Sequence, residues 1–167
     1  LRARIGPLEL ARGTFNATIT PDSYVADATY RTSGIGAALS NDAGRTRSQG
    51  RVVNNTMRPA SFNNKESTGR QREIDMRWSG GTVRAVSNPP WGTNMGSPPA
   101  TEALKLESVD PLTGLMQLSL LTGRGEGRAC GGTVKIFDGK RRYDIRTRYV
   151  GPVEVSTPAY KGPAIRC

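Results

Sequence analysis

Histidine is absent from the 167 residues, and cysteine occurs only at Cys130 and Cys167. Without imidazole there is no Ser-His-Asp or Cys-His nucleophile activation, no His-ligated metal site and no imidazole pH switch. Two thiols cannot supply a four-thiolate zinc site and lack the C-x-x-C spacing of a redox motif. They form either a disulfide or two buried thiols. No apolar run approaches the ~18 residues a membrane-spanning helix needs. A phosphate-binding loop is also missing: Gly139-Lys140 is followed by Arg141, and the alternating Gly123, Gly125 and Gly127 lead into Arg128 and Cys130, where a dinucleotide fingerprint wants its last glycine. That run reads as a connector. No cofactor is expected.

Aromatic residues are only 6% of the chain. No recognisable motif interleaves them with the basic residues, which argues against nucleic acid as a partner. Leu, Ile, Val and Phe together number 31 of 167 residues and the net charge is +10, a composition close to that of disordered chains. Periodicity must therefore decide whether there is a fold, and it decides for strands.

Length points to one domain over 1–167. Leu1 to Ile5, the Gly6-Pro7 turn and Leu8 to Ile19 predict an opening hairpin, with a bulge near Gly13 where the apolar parity changes. Tyr24, Ala26, Ala28 and Tyr30 alternate with polar neighbours as in a half-buried strand. Gly34 to Asn41 carries no clear pattern. Gly44 to Val53 and Met57 to Asn64 read as polar strands. Ile74, Met76 and Trp78 mark a better one, joined by Ser79-Gly80-Gly81 to Thr82 to Ser87. Asn88 to Pro99, with four prolines and Trp91, is a loop whose Trp packs as a lid.

Asp110-Pro111 is an N-cap followed by proline at the first helical position, and Leu112, Leu115, Met116, Leu118 and Leu121 continue at helical spacing. This predicts one helix near 111–122, apolar on most of its circumference and deeply buried. Thr133 to Phe137, the Asp138-Gly139 turn and a long strand Lys140 to Val150 form a further hairpin. Tyr143, Ile145, Thr147 and Tyr149 are expected on its core face, and Arg142, Asp144, Arg146 and Arg148 on the other. Val153 to Ser156 and Tyr160 to Cys167 supply the next edge. The fold class is mainly β: a strongly curved antiparallel sheet, a half-barrel or incomplete barrel, with one buried helix. The chain opens on Leu1-Arg2-Ala3-Arg4 and stops at Cys167 inside a strand, so a cleaved N-terminal leader and further C-terminal strands are expected.

The segments Asp110-Pro111-Leu112-Thr113-Gly114-Leu115, Cys130-Gly131-Gly132-Thr133, Phe137-Asp138-Gly139-Lys140-Arg141-Arg142-Tyr143-Asp144 and Gly162-Pro163-Ala164-Ile165-Arg166-Cys167 together resemble the exported bacterial family catalogued as domain of unknown function 3108. Ile5-Gly6-Pro7-Leu8 and Tyr30-Arg31-Thr32-Ser33-Gly34 extend the resemblance over nearly the whole chain, with Arg51 to Glu107 matching least. The resemblance implies a signal peptide, a periplasmic location and a fold similar to the half-barrel with an internal helix of lipoprotein carriers; membrane association is expected from the net charge of +10, which attracts anionic lipid headgroups. It implies no catalytic residues. Cys130 and Cys167 correspond to the family's recurring pair, which favours a disulfide.

Of the basic residues 19 are Arg and 5 are Lys, and the planar guanidinium suits phosphate and carboxylate. Lys140, Arg142, Arg146 and Arg148 are candidates for an anionic partner. The expected function is that of a non-enzymatic envelope protein whose apolar cleft, walled by Tyr24, Tyr30, Met76, Trp78, Leu115, Met116, Leu118 and Tyr149, holds a lipid, an acyl chain or a lipidated partner. The competing expectation is a structural accessory subunit that docks on an anionic membrane surface or an envelope protein complex through its Arg-rich face, its Pro-rich loop and an open sheet edge. An enzyme would rest on carboxylate pairs such as Glu73 and Asp75, which surface charge pairing with Arg72 and Arg77 explains as well.

Overall fold

The computed structural model describes residues 2–54, 56–92, 99–121, 130, 132–156 and 160–167. Seven strands, β1 (Arg2–Ile5), β2 (Leu8–Ile19), β3 (Ser23–Thr32), β4 (Ala43–Val53), β5 (Thr56–Glu66), β6 (Glu73–Ser79) and β7 (Thr82–Asn88), form one antiparallel sheet in sequence order. The sheet is an open meander with β1 and β7 at its edges, not a closed barrel. Two further hairpins follow: β8 (Thr133–Phe137) with β9 (Arg142–Arg146), and β10 (Gly151–Ser156) with β11 (Lys161–Arg166).

Register sets the faces. Ala26 pairs with Ser48, Ser48 with Phe62 and Phe62 with Met76, so one continuous row of side chains points to the same side. On that side Tyr24, Ala26, Met57, Phe62, Ile74, Met76 and Val83 are buried with Leu112, Met116 and Phe137. Each large apolar side chain sealed this way contributes about 1.5–3 kcal/mol. The opposite face carries the polar partners of the alternation and meets water.

The helix α3 (Pro111–Leu121) lies across β3, β4 and β5 and also packs on β8. It is not buried all round: Leu112, Thr113, Gly114 and Met116 are buried, whereas Leu115 is 41% exposed. Gly114 lets the helix approach β8, since a Cβ there would sit 2.6 Å from Ile136 Cδ1. The sheet and β8 thus grip two sides of the helix and leave Leu115 facing outward.

Two short helices add to the one the sequence predicts: α1 (Ile35–Leu39) in the segment without a clear pattern, and α2 (Glu102–Leu106). The opening bulge lies at Leu10, not Gly13. Ala3 pairs with Ala11 and Arg4 with Glu9, which skips Leu10, and the Leu10 carbonyl accepts from Ser33 N at 3.0 Å beside α1. Gly13 has a different reason: a Cβ there would sit 2.2 Å from the Thr29 carbonyl oxygen.

The larger correction concerns the end of the chain. The predicted strand Lys140 to Val150 is short, only Arg142–Arg146, and its expected core face is exposed, with Tyr143 at 42%, Ile145 at 37% and Tyr149 at 55%. Alternation there gives two faces, but neither is sealed among the described residues: Tyr143 and Ile145 stay partly exposed on one and Asp144 and Arg146 on the other. Likewise β10 and β11 pair with each other and form a hairpin apart from the main sheet. Cys130 and Cys167 form a disulfide with their Cα atoms 5.8 Å apart. The glycine-rich connector at 123–127 lies outside the described residues, as do 93–98 of the proline-rich loop.

Candidate functional site

Asp110 is placed by the residue before it. Val109 bridges to Ile136, donating to the Lys135 carbonyl (2.9 Å) and accepting from Phe137 N (2.9 Å). Asp110 Oδ1 then accepts from Leu112 N and Thr113 N, both at 3.0 Å, as an N-cap should. Its other oxygen is directed to the sheet, where it accepts from the Ser48 hydroxyl at 2.8 Å and the Thr113 hydroxyl at 2.5 Å. With the Thr113 proton so engaged, the Tyr24 hydroxyl, 2.7 Å away, is left as donor to Thr113.

All four residues are at most 1% exposed. Burial pushes the Asp110 carboxyl up from its ordinary range against the pull of these hydrogen bonds, and burial pushes the Tyr24 phenol up to about 12. Small residues make room: a Cβ at Gly50 would sit 2.8 Å from the Tyr24 hydroxyl. The cluster is sealed and every polar atom in it has a partner, so it works as a polar staple fixing α3 to the sheet. It offers a reactant no access.

Beside this staple a cavity of about 410 Å³ opens between β4–β6, the start of α3 and the β8–β9 turn. Its apolar walls are Phe62, Ile74, Leu112 and Trp91, with Thr46 and Asn64 between them and Lys140 and Arg141 at the turn. That turn is fixed. Asp138 Oδ1 accepts from Lys140 N (2.8 Å) and Arg141 N (2.7 Å), and Gly139, at φ +94°, presses so near the sheet that a Cβ would lie 2.7 Å from Ile74 Cγ2. Trp91 stands between two cations, Arg72 at 4.1 Å and Lys140 at 5.3 Å from its ring centre, an electrostatically favourable arrangement. Both the Trp91 indole N–H and the Arg72 Nε–H are buried without an acceptor among the described residues. Buried donors left this way are costly and rare.

Two other hollows differ in chemistry. One of about 820 Å³ lies on the solvent face of β2–β5 among Thr14, Asn16, Arg45 and Lys65. Its Arg47 already donates to both Asp27 oxygens at 2.9 and 3.1 Å. One of about 260 Å³ near Gln117, Lys135 and Glu107 is small and polar, and it is where Trp78 lies.

The wall proposed from sequence is therefore divided. Tyr24, Met76 and Met116 close a dry core with α3, and Leu118 is half-buried on the helix. Tyr30 stands half-buried beside Gly44, where a Cβ would be 2.6 Å from its hydroxyl. Leu115 and Tyr149 face outward. Of the eight, only Trp78 lines any of these three hollows.

Of the basic candidates, Lys140 reaches the 410 Å³ cavity. Arg142 is turned to Asp144, Nη2 to Oδ1 3.1 Å, and Arg146 and Arg148 lie exposed further along. Sequence reasoning missed Arg141, Phe62, Leu112 and the stacking of Arg72 on Trp91; the tryptophan in a proline loop was the available signal. Glu73 and Asp75 both accept from Asn63 Nδ2, at 3.0 and 3.1 Å, and Lys65 lies 3.7 Å from Glu73. Each is thus engaged as a surface carboxylate.

Comparison with known proteins adds one finding. The profile of the family described as a protein of unknown function (DUF3108) matches residues 2–167. No curated protein and no solved structure matches the chain.

Proposed function

The chain belongs to the DUF3108 family, and we propose that it is a non-enzymatic binding protein of the bacterial envelope that holds the apolar tail of an anionic amphiphile, such as a fatty acid or a lipid-modified partner. The observation that carries this reading is the 410 Å³ cavity, whose apolar walls end at two cations. Its size falls in the range of small-ligand sites, and a few placed polar groups over an apolar floor are what such sites need. The tail would lie against Phe62, Ile74 and Leu112. The headgroup would meet Lys140 and Arg141, and its oxygens could satisfy the orphaned donors of Trp91 and Arg72. The Cys130–Cys167 disulfide is compatible with an oxidising compartment outside the cytoplasm.

A dansyl-labelled undecanoic acid tests this directly, together with native mass spectrometry and solvent extraction of protein isolated from its own envelope fraction. We expect saturable probe binding that quenches tryptophan emission, and roughly thirtyfold weaker binding or more in Lys140→Glu with Arg141→Glu, since two charge-assisted contacts of on the order of a kcal/mol or more each are lost. The charge-matched control is Arg77→Glu with Arg84→Glu, two exposed residues paired across β6 and β7. Unchanged affinity in the Lys140 and Arg141 variant, or loss equal to that of the control, would reject the cavity as the site.

A further inference from the structure

The chain from Lys140 to Cys167 holds seven basic and two acidic residues, so about one sixth of the sequence carries half of its net charge of +10. The same segment exposes Tyr149 (55%), Val150 (59%), Tyr160 (51%) and Ile165 (44%), beside the exposed Tyr143 and Ile145 of β9. A lone two-stranded hairpin is at best marginally stable in water. Here the β10–β11 hairpin stands outside the main sheet, closed by Val150 N donating to the Arg166 carbonyl at 2.9 Å and tied to the residues before β8 by the disulfide. Six of the fourteen exposed large hydrophobics among the described residues fall in this sixth of the chain, and apolar exposure that is concentrated, unlike scattered exposure, calls for a partner.

We infer that the β9–β11 segment docks on an anionic lipid bilayer surface. Charge selects the occupant: Arg146, Arg148, Lys161 and Arg166 match phosphate headgroups, to which each basic residue near the surface adds attraction. Tyrosines beside them suit the headgroup boundary, where an apolar ring with a polar tip is favoured. The β8–β9 turn joins this surface to the mouth of the cavity, since Lys140 and Arg141 immediately precede β9. A bilayer is thus the source or destination of an amphiphile held there. The docking itself does not depend on the cavity being occupied.

Co-sedimentation with vesicles of phosphatidylglycerol and phosphatidylcholine at 1:1, against pure phosphatidylcholine, tests the inference. Binding to the anionic vesicles, released by added salt, is the expected result. Arg146→Glu with Arg148→Glu should weaken it on the order of a hundredfold, and Tyr149→Ser with Ile165→Ser by about tenfold. Both variants should keep dansyl-fatty-acid binding, which shows that they fold and separates failure of this inference from failure of the cavity reading. Equal binding to neutral vesicles, binding to neither, or a dimer in solution that the Tyr149 and Ile165 substitutions dissociate would each overturn it.

Discussion

Strands β3 and β9 show the same alternation of apolar and polar residues, yet they end in different environments. In β3, Tyr24 and Ala26 are 1% and 0% exposed; in β9, Tyr143 and Ile145 are 42% and 37% exposed. The difference lies in what covers them. Helix α3 crosses β3 and is fixed there by Asp110, Ser48, Thr113 and Tyr24, while β9 pairs with β8 and no described element seals its Tyr143 and Ile145 face. Alternation specifies that a strand has two faces. It does not specify that either face will be dry.

This contrast predicts that the two regions unfold separately, and the largest effect should come from the crosslink. The disulfide closes a loop of sequence separation 37, for which chain entropy gives roughly 4 kcal/mol. Replacing both cysteines, Cys130→Ala with Cys167→Ala, should remove amide hydrogen-exchange protection from β9–β11, which have no core to compensate. Protection in β3–β6 should remain. If β3–β6 lose it as well, the two regions form one cooperative unit and the contrast fails.

The next effect belongs to the staple. Asp110→Ala removes an N-cap and leaves the hydroxyls of Ser48 and Thr113 short of an acceptor, together about 3 kcal/mol. Chemical denaturation of the sheet should show that loss, whereas vesicle binding by the folded protein should not change. Asp110→Asn should recover much of it, because an amide oxygen can still accept from Leu112 N and Thr113 N while the hydroxyls rotate. A loss below about 0.5 kcal/mol for Asp110→Ala, the level of an ordinary surface change, would mean that α3 is held by Leu112 and Met116 alone.

These two expectations also mark what the sequence could disclose. Asp110-Pro111 announces a helix start, Asp138-Gly139 a turn, and the Ile74, Met76, Trp78 spacing a strand, because each signal is local. Ser48 and Tyr24 as partners of Asp110 and Thr113 are separated from them by 62 and 89 residues, and no local rule joins them. A hint was present in the inward parity of β4, where Gly44, Thr46, Ser48 and Gly50 are too small to fill a core. Such a row leaves room for something large or polar from another element. The cavity was less legible still, since its Trp91 comes from a loop without periodicity and its cations Lys140 and Arg141 come from a turn some fifty residues further on.

The smallest effect compares one residue type in the two settings. Ile74 is 8% exposed in the core and Ile165 is 44% exposed on β11. Ile74→Val removes a methylene group from a packed position, where the Cγ2 methyl also meets the Gly139 turn, and should cost about 1 kcal/mol. Ile165→Val shortens a side chain already in water and should change stability by less than about 0.5 kcal/mol. Denaturant midpoints resolve that gap when the slopes are unchanged. On anionic vesicles the order should reverse. Ile165→Val removes apolar area from the docking surface and weakens binding by a few fold at ~0.8 kcal/mol per methylene, while Ile74→Val leaves it unaltered. A core position that governs stability and a surface position that governs partition are separable only if the exposed side chains of β9–β11 meet a partner that the sheet does not. Equal effects of the two substitutions in both assays would remove that distinction.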